Sequence, residues 1–380
     1  MSTTTEQGAA FRAEVRAWLA RAPWPYGLRN YGGTPEASDV PAGRQWQRTL
    51  ADAGYACLHW PVEHGGRGAS VLEQAIFAEE VARAGVPRQL NIVGPDLAGP
   101  VIMRFGTEAQ HQKYLPGILR GDHLWCQLFS EPEAGSDLAS LRTRAGHDGD
   151  GWTVDGQKVW TSAAGAADYG LLVARTGKER YQGITAFIVD MSLPGITVRP
   201  LRQLDGESKF NEVFFEGVRL PGEAVLGEVG QGWQVATATL GQERLSLGAQ
   251  AVGMFEALRE VAEAARERNL LGDVLADTIT SLWMRIWLLR ATWLRAISAD
   301  TELSSPAFSV LKLVSSEVHR DLGDLATAAL GADAMVDADD SPLVHRMLVG
   351  RAQTILGGTS EIQRNILAER VLGLPREPTR

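Results

Sequence analysis

Cysteine is nearly absent from this chain of 380 residues: Cys57 and Cys126 stand alone, too few for a disulfide scaffold and in no C-x-x-C pair. No G-x-G-x-x-G runs from a strand into a helix, so the common dinucleotide fingerprint is missing. H-E-x-x-H and G-x-S-x-G are missing too, which removes the familiar zinc-protease and serine-hydrolase patterns. The histidines are scattered, and His59 and His64 flank Pro61 without the spacing of a helical metal pair. No apolar run approaches the roughly 20 residues that a membrane helix needs. The first stretch, MSTTTEQGAAFRAEVRAWLA, carries acidic residues and lacks the apolar centre of a signal peptide. There is no block of like charge, and the net charge of -9 argues against nucleic acid as a partner. These absences point to a reducing, cytoplasmic location and no membrane insertion. What is there has globular composition and enough length to bury a core around a cofactor.

The hydrophobic period changes twice along the chain. Phe11, Val15, Trp18 and Leu19 fall at helical spacing before Pro23 and Pro25. Gln45 to Ala53, Val71 to Ala84 and Thr107 to Leu119 read as further helices, the last opening with a Thr cap and carrying Pro116 late. From Leu124, short β-branched and aromatic runs take over: Leu124 to Phe129, Trp152 to Val154, Leu171 to Ala174, Ile184 to Val189, Ile196 to Val198 and Glu212 to Phe215. Asp148-Gly149-Asp150-Gly151 and Asp155-Gly156 read as hairpin turns. From Gly232 the helical period returns. Its stripes are Leu245, Val252, Phe255, Leu258 and Val261; then Trp283, Ile286, Trp287, Leu294 and Ile297; then Leu311 to Leu325; then Ile362 to Val371. Trp283, Trp287 and Trp293 read as core or subunit contacts. The fold class expected is therefore α+β, mainly α. An N-terminal helical domain (1–122) precedes a middle antiparallel β-barrel or sheet domain (123–231) and a C-terminal four-helix bundle (232–380).

Three loops carry the chemistry. Ser130-Glu131-Pro132-Glu133-Ala134-Gly135-Ser136-Asp137 follows an apolar strand. Trp160-Thr161-Ser162 follows Gly156-Gln157-Lys158, read as a turn into a strand. Gly357-Gly358-Thr359-Ser360 opens the stretch GGTSEIQRNILAER. Taken singly, these are ordinary turns, strand residues and a helix cap. In this order and at these separations they resemble the acyl-CoA dehydrogenase family, over approximately Phe11 to Pro375. The resemblance implies FAD held without a dinucleotide fingerprint. It implies that Ser130 and the backbone near Gln127 and Phe129 face the flavin ring, and that Gly135 and Ser136 lie by the pyrophosphate and the acyl chain. Trp160 would cover the flavin face, and Ser162, next to Thr161, would hydrogen-bond near N5. Thr359 and Glu361 would lie beside the cofactor, Glu361 not being the base. Leu128 and Phe129 are bulkier than the family's usual residues, which would reshape the flavin's wall.

Many members carry a glutamate base immediately before the Gly-Thr of the last loop, where this chain has Gly357. Relatives such as the isovaleryl-CoA and long-chain enzymes place that glutamate before an arginine on a C-terminal-domain helix. Here Leu240-Gly241-Gln242-Glu243-Arg244 matches that arrangement. By resemblance Glu243 is then the base, Arg244 holds the loop or the CoA end, and Gly357 still offers its N–H to the thioester oxygen. The reaction implied is α,β-dehydrogenation of an acyl-CoA, or acyl-carrier, thioester to the trans-2-enoyl product, with hydride passing to flavin N5 and electrons to an electron-transfer flavoprotein. The cross-subunit FAD elements are reduced: only Arg268 carries over in Arg268-Asn269-Leu270-Leu271-Gly272, and Ala328-Ala329-Leu330-Gly331-Ala332 replaces a Gln-x-x-Gly-Gly element. A homodimer or homotetramer, a heteromer with a sister subunit, and an oxygen-using oxidase or monooxygenase relative all stay open.

Overall fold

A computed structural model describes residues 2–25, 35, 37–243, 250–298, 306–335 and 341–376, with backbone alone at 2–7, 241–243, 252, 297–298 and 306–307. The chain forms two compact units, Met1–Gln242 and Glu243–Arg380.

The first unit opens with helices α1 (Ser2–Leu19), α2 (Val40–Asp52) and α3 (Val71–Arg83). Phe11, Val15 and Leu19, each four residues apart, are buried against Trp46, Leu50 and Ile76. Ser70 and Glu73 start α3 with a reciprocal capping box. A π-helical turn, Val93–Ala98, runs into α4 (Gly99–Phe105), and neither shows in the sequence pattern. Helix α5 (Glu108–Arg120) opens with a second capping box, Thr107 with Gln110, and stops at left-handed Gly121.

Eight strands follow: β1 (Trp125–Leu128), β2 (Arg144–Asp148), β3 (Gly151–Ser162), β4 (Tyr169–Arg175), β5 (Ile184–Asp190), β6 (Ile196–Leu201), β7 (Phe210–Pro221) and β8 (Val225–Leu226). Their order is β6-β7-β3-β2-β4-β5-β8, with β1 alongside β4. The sheet is mostly antiparallel, but β1 and β2 each pair with β4 in parallel. Alternation along β4 and β5 explains their uninterrupted apolar sequences. Leu171, Val173, Ile184, Ala186 and Ile188 face the helices, while Leu172, Ala174, Phe187 and Val189 face β3 and β7. The Asp148 turn closes the β2–β3 hairpin as expected. Asp155-Gly156 is no turn: it is a bulge inside the twelve-residue strand β3, where Asp155 accepts from Gly217 N on β7 at 2.9 Å. Helix α6 (Gly232–Glu243) ends this half, with Val235 and Ala236 in the same core as β4 and β5.

The second unit holds α7 (Gln250–Glu267), α8 (Asp273–Ser298), α9 (Pro306–Leu330), α10 (Pro342–Gln353) and α11 (Ser360–Arg370). The sequence reading lacked α10. On α8 the buried stripe is Leu282, Ile286, Leu289, Trp293 and Ala296. Trp283 and Trp287 lie one step around the helix and are exposed, packing edge-on against each other and Phe255. Only Trp293 of the three is core. Arg244 and Leu245 lie outside the described residues. Among those described, no helix is long and apolar enough to cross a membrane.

Candidate functional site

β1 delivers the Ser130–Asp137 loop, and β3 delivers Trp160–Ser162. The two are joined directly, because Val159 N donates to Ser130 O at 2.9 Å. Beneath this seam lies an ion pair absent from the sequence reading. Lys158, fully buried, donates from Nζ to Phe129 O at 3.0 Å and to Glu131 Oε1 at 2.8 Å. Glu131 also accepts from Arg142 N at 2.6 Å and Thr143 N at 2.9 Å. Burial pushes the Glu131 pKa up, but the Lys158 charge and these donors outweigh it, leaving the carboxyl below its ordinary value. Burial pulls the Lys158 pKa down against the attraction of Glu131.

The strand is bent where it presents its aromatic. Register slips between Lys158 and Thr161, and Trp160 adopts φ 57, followed by Ala163 at φ 58. Left-handed backbone is unusual for a bulky residue and marks a locally over-determined structure. The outcome is an indole 61% exposed, edge-on to Phe210. Thr161 is fully buried, its carbonyl accepting from Asn211 Nδ2 at 3.0 Å and its hydroxyl lacking a partner. Ser162, Ser130 and Gln127 are half-buried; Gly135 and Ser136 are exposed, with open space where a Gly135 side chain would begin. A projecting flat ring, an orphaned hydroxyl and an open loop of small residues fit a flavin and its phosphates. The side chains of Leu128 and Phe129 are buried on opposite faces of β1. Phe129 packs with Cys57 and Val93, and Leu128 packs into the opposite core with Cys126.

In the second unit, Thr359 caps α11 by accepting from Ile362 N at 3.1 Å. Gly357 and Gly358 have φ 66 and 95, so a side chain at Gly357 would be strained. Ser360 and Gln363 are buried with side-chain polar atoms lacking partners, and a Cβ on Gly358 would lie 2.6 Å from Gln363 Nε2. The sequence reading did not single out Gln363. Glu361 is exposed, its pKa lowered by its own backbone N–H at the helix start and then by Thr359. Arg268 is engaged by Asp333 at 3.3 Å. Glu243 is the last residue of α6.

Family models cover nearly all of the chain: the N-terminal, middle and C-terminal domains of acyl-CoA dehydrogenase match residues 5–122, 126–218 and 230–372. The chain belongs to the acyl-CoA dehydrogenase family. That makes it an oxidoreductase of a flavin-dependent family acting on acyl-CoA. It is 42% identical to acyl-CoA dehydrogenase IpdE1 of Mycobacterium tuberculosis, over 97% of this chain and 98% of that protein. IpdE1 of Mycolicibacterium smegmatis is 39% identical over 97% and 98%. Among solved structures, the Tcur3481-Tcur3483 steroid ACAD superposes with a TM-score of 0.85 at 32% identity, covering 98% of each chain. The ChsE4-ChsE5 complex from Mycobacterium tuberculosis gives 0.82 at 30% identity, again over 98% of each.

Proposed function

We propose that this acyl-CoA dehydrogenase carries out FAD-dependent α,β-dehydrogenation of an acyl-CoA thioester to the trans-2-enoyl thioester, with Glu243 as base. The observation that carries the reading is the Val159–Ser130 seam, which sets the Ser130–Asp137 loop beside the outward-facing Trp160 in one compact unit. When bound, the flavin supplies an acceptor for hydride from the substrate's β-carbon. The protein does the remainder. Trp160 would cover the ring face, Ser130 would face the ring, Ser162 would hydrogen-bond near N5, and Gly135 and Ser136 would let the pyrophosphate approach backbone amides. Thr359 and Glu361 border the cofactor at the start of α11.

A thioester α-proton is too weakly acidic for a carboxylate in water. The base must be desolvated and the thioester oxygen met by fixed donors. Glu243 takes the proton, since Gly357 has no side chain to do so, while the Gly357 N–H serves the oxygen. Arg244 anchors the loop or the CoA end. An electron-transfer flavoprotein then reoxidises the enzyme. The test is anaerobic titration of the purified holoprotein with a panel of acyl-CoA and acyl-carrier thioesters, following flavin absorbance. Bleaching with formation of an enoyl thioester is expected. No bleaching by any thioester would overturn the reading, and peroxide without an added acceptor would redirect it to an oxidase.

One observation favours a heteromeric form of the same enzyme. Two similar structures are named as two-protein complexes, Tcur3481-Tcur3483 and ChsE4-ChsE5. The single cross-subunit carry-over, Arg268, is already bonded to Asp333. A sister subunit completing the FAD site accounts for both. A chain that is colourless alone and yellow with its partner is then expected, and full FAD occupancy of the isolated chain contradicts it.

A further inference from the structure

Between Phe129 and Glu131 the backbone polar groups are taken up one after another. Phe129 O accepts from Lys158 Nζ at 3.0 Å, and Ser130 O accepts from Val159 N at 2.9 Å. Glu131 N donates to Ala134 O and Glu131 O accepts from Ala134 N, both at 3.1 Å. Ser130 N–H is the exception, since no acceptor meets it among the described residues. Backbone donors are rarely left so, and one on a half-buried residue takes its partner from water or from a bound group.

The direction of that N–H follows from its own peptide. No described peptide is cis, and in a trans unit the N–H points opposite to the C=O. The Phe129 carbonyl is drawn to the buried ammonium, so the Ser130 N–H is directed away from it. Neither end is free to swing. The Phe129 ring is buried with Cys57 and Val93, and Lys158 is buried completely. Glu131, which accepts from Lys158 Nζ at 2.8 Å, is itself pinned by Arg142 N and Thr143 N.

An ion pair is a demanding way to satisfy one carbonyl. Taking both charges out of water carries a penalty that apolar side chains of the same volume avoid. What an ammonium supplies beyond a neutral donor is charge. Bonded to Phe129 O, it polarises the peptide and makes the Ser130 N–H a stronger donor at the far end.

Resting on the FAD reading of this loop, we infer that Lys158 is a positioning residue for flavin reduction. Through the Phe129–Ser130 peptide it aims and strengthens a donor towards the negative charge that the ring gains. The balance of the reaction sets that charge: hydride from the substrate's β-carbon carries an electron pair to the ring, while the α-proton goes to Glu243. A donor fixed in advance and backed by a cation favours the reduced ring over the oxidised one.

The experiment measures the midpoint potential of the bound flavin, with a sister protein added if the chain alone is colourless. Wild type is compared with Lys158→Met paired with Glu131→Gln, which removes both charges and keeps the shapes. The potential reports the ratio of affinities for reduced and oxidised FAD, whereas a merely structural loss weakens both alike. That ratio should shift by about tenfold against the reduced form, a fall of about 30 mV for a two-electron couple. Lys158→Gln paired with Glu131→Gln, which keeps a neutral donor for Phe129 O, should fall between. An unchanged ratio in both pairs, whatever the change in FAD affinity, overturns the inference. Should neither pair hold FAD, the wild type decides. Its Ser130 amide proton, followed by NMR with 15N-serine, should move downfield when dithionite reduces the flavin, and an unmoved signal refutes the inference. A wild type that takes up no flavin overturns the FAD reading itself, and shows it by having no flavin absorbance to titrate.

Discussion

Lys158 and Glu131 bear more on the proposed site than any residue the motifs name, because they fix the backbone that presents those motifs. Lys158→Met leaves Glu131 as an uncompensated buried carboxylate, a change worth about 3–5 kcal/mol of stability. Thermal melting and FAD retention should both fall, and pairing the change with Glu131→Gln should restore part of the loss. A second residue-scale effect belongs to His319, where burial, and then the charge of Arg346, lower the pKa from 6.5 to about 4. The folded chain refuses a proton that the unfolded chain accepts, so stability falls as pH drops from 6.5 towards 4. His319→Gln should flatten the melting temperature across that window; an unchanged slope contradicts the assignment. The motif residues were legible because hydroxyl, glycine and aromatic types recur together in a fixed order. Lys158 was not, since Gly156-Gln157-Lys158 read as a turn, where a lysine faces solvent, and its partner looked like one more turn residue.

Elements were legible where their periodicity was strong. Helices α1, α3 and α5 came through, α5 with its Thr107 cap, and β4 and β5 came through as continuous apolar runs. Asp155-Gly156 misled because the pair that makes a hairpin also makes a bulge, and only the length of β3 and its register with β7 decide between them. Gly156 has φ 151, and a Cβ there would lie 2.6 Å from Thr143 Oγ1. Gly156→Val should therefore destabilise by about 1–3 kcal/mol. Because that bulge leads into the bend that aims Trp160, FAD affinity should fall more than at a surface glycine such as Gly149; equal effects at the two positions would count against a positioning role. The π-turn left no trace in the sequence, since the six residues Val93–Ala98 are too few to carry a readable period. On α8, the choice between the Trp283–Trp287 and Ile286–Trp293 faces depends on neighbouring helices, which periodicity does not reveal.

For the whole molecule, the succession of helical, strand-rich and helical stretches was readable from the two changes of period, and the family from three loops. Less accessible was whether a second chain completes the proposed cofactor site, because the residues after Arg268, Asn269 to Gly272, and the segment around Gly331 depart from the family's pattern. The central claim concerns the one carboxylate assigned to the reaction. Anaerobic titration of wild type and Glu243→Gln with an acyl-CoA that bleaches the wild-type flavin tests it most directly. The variant is expected to bind FAD and thioester with unchanged affinity and to leave the flavin oxidised. Bleaching at the wild-type rate would show that another group takes the proton.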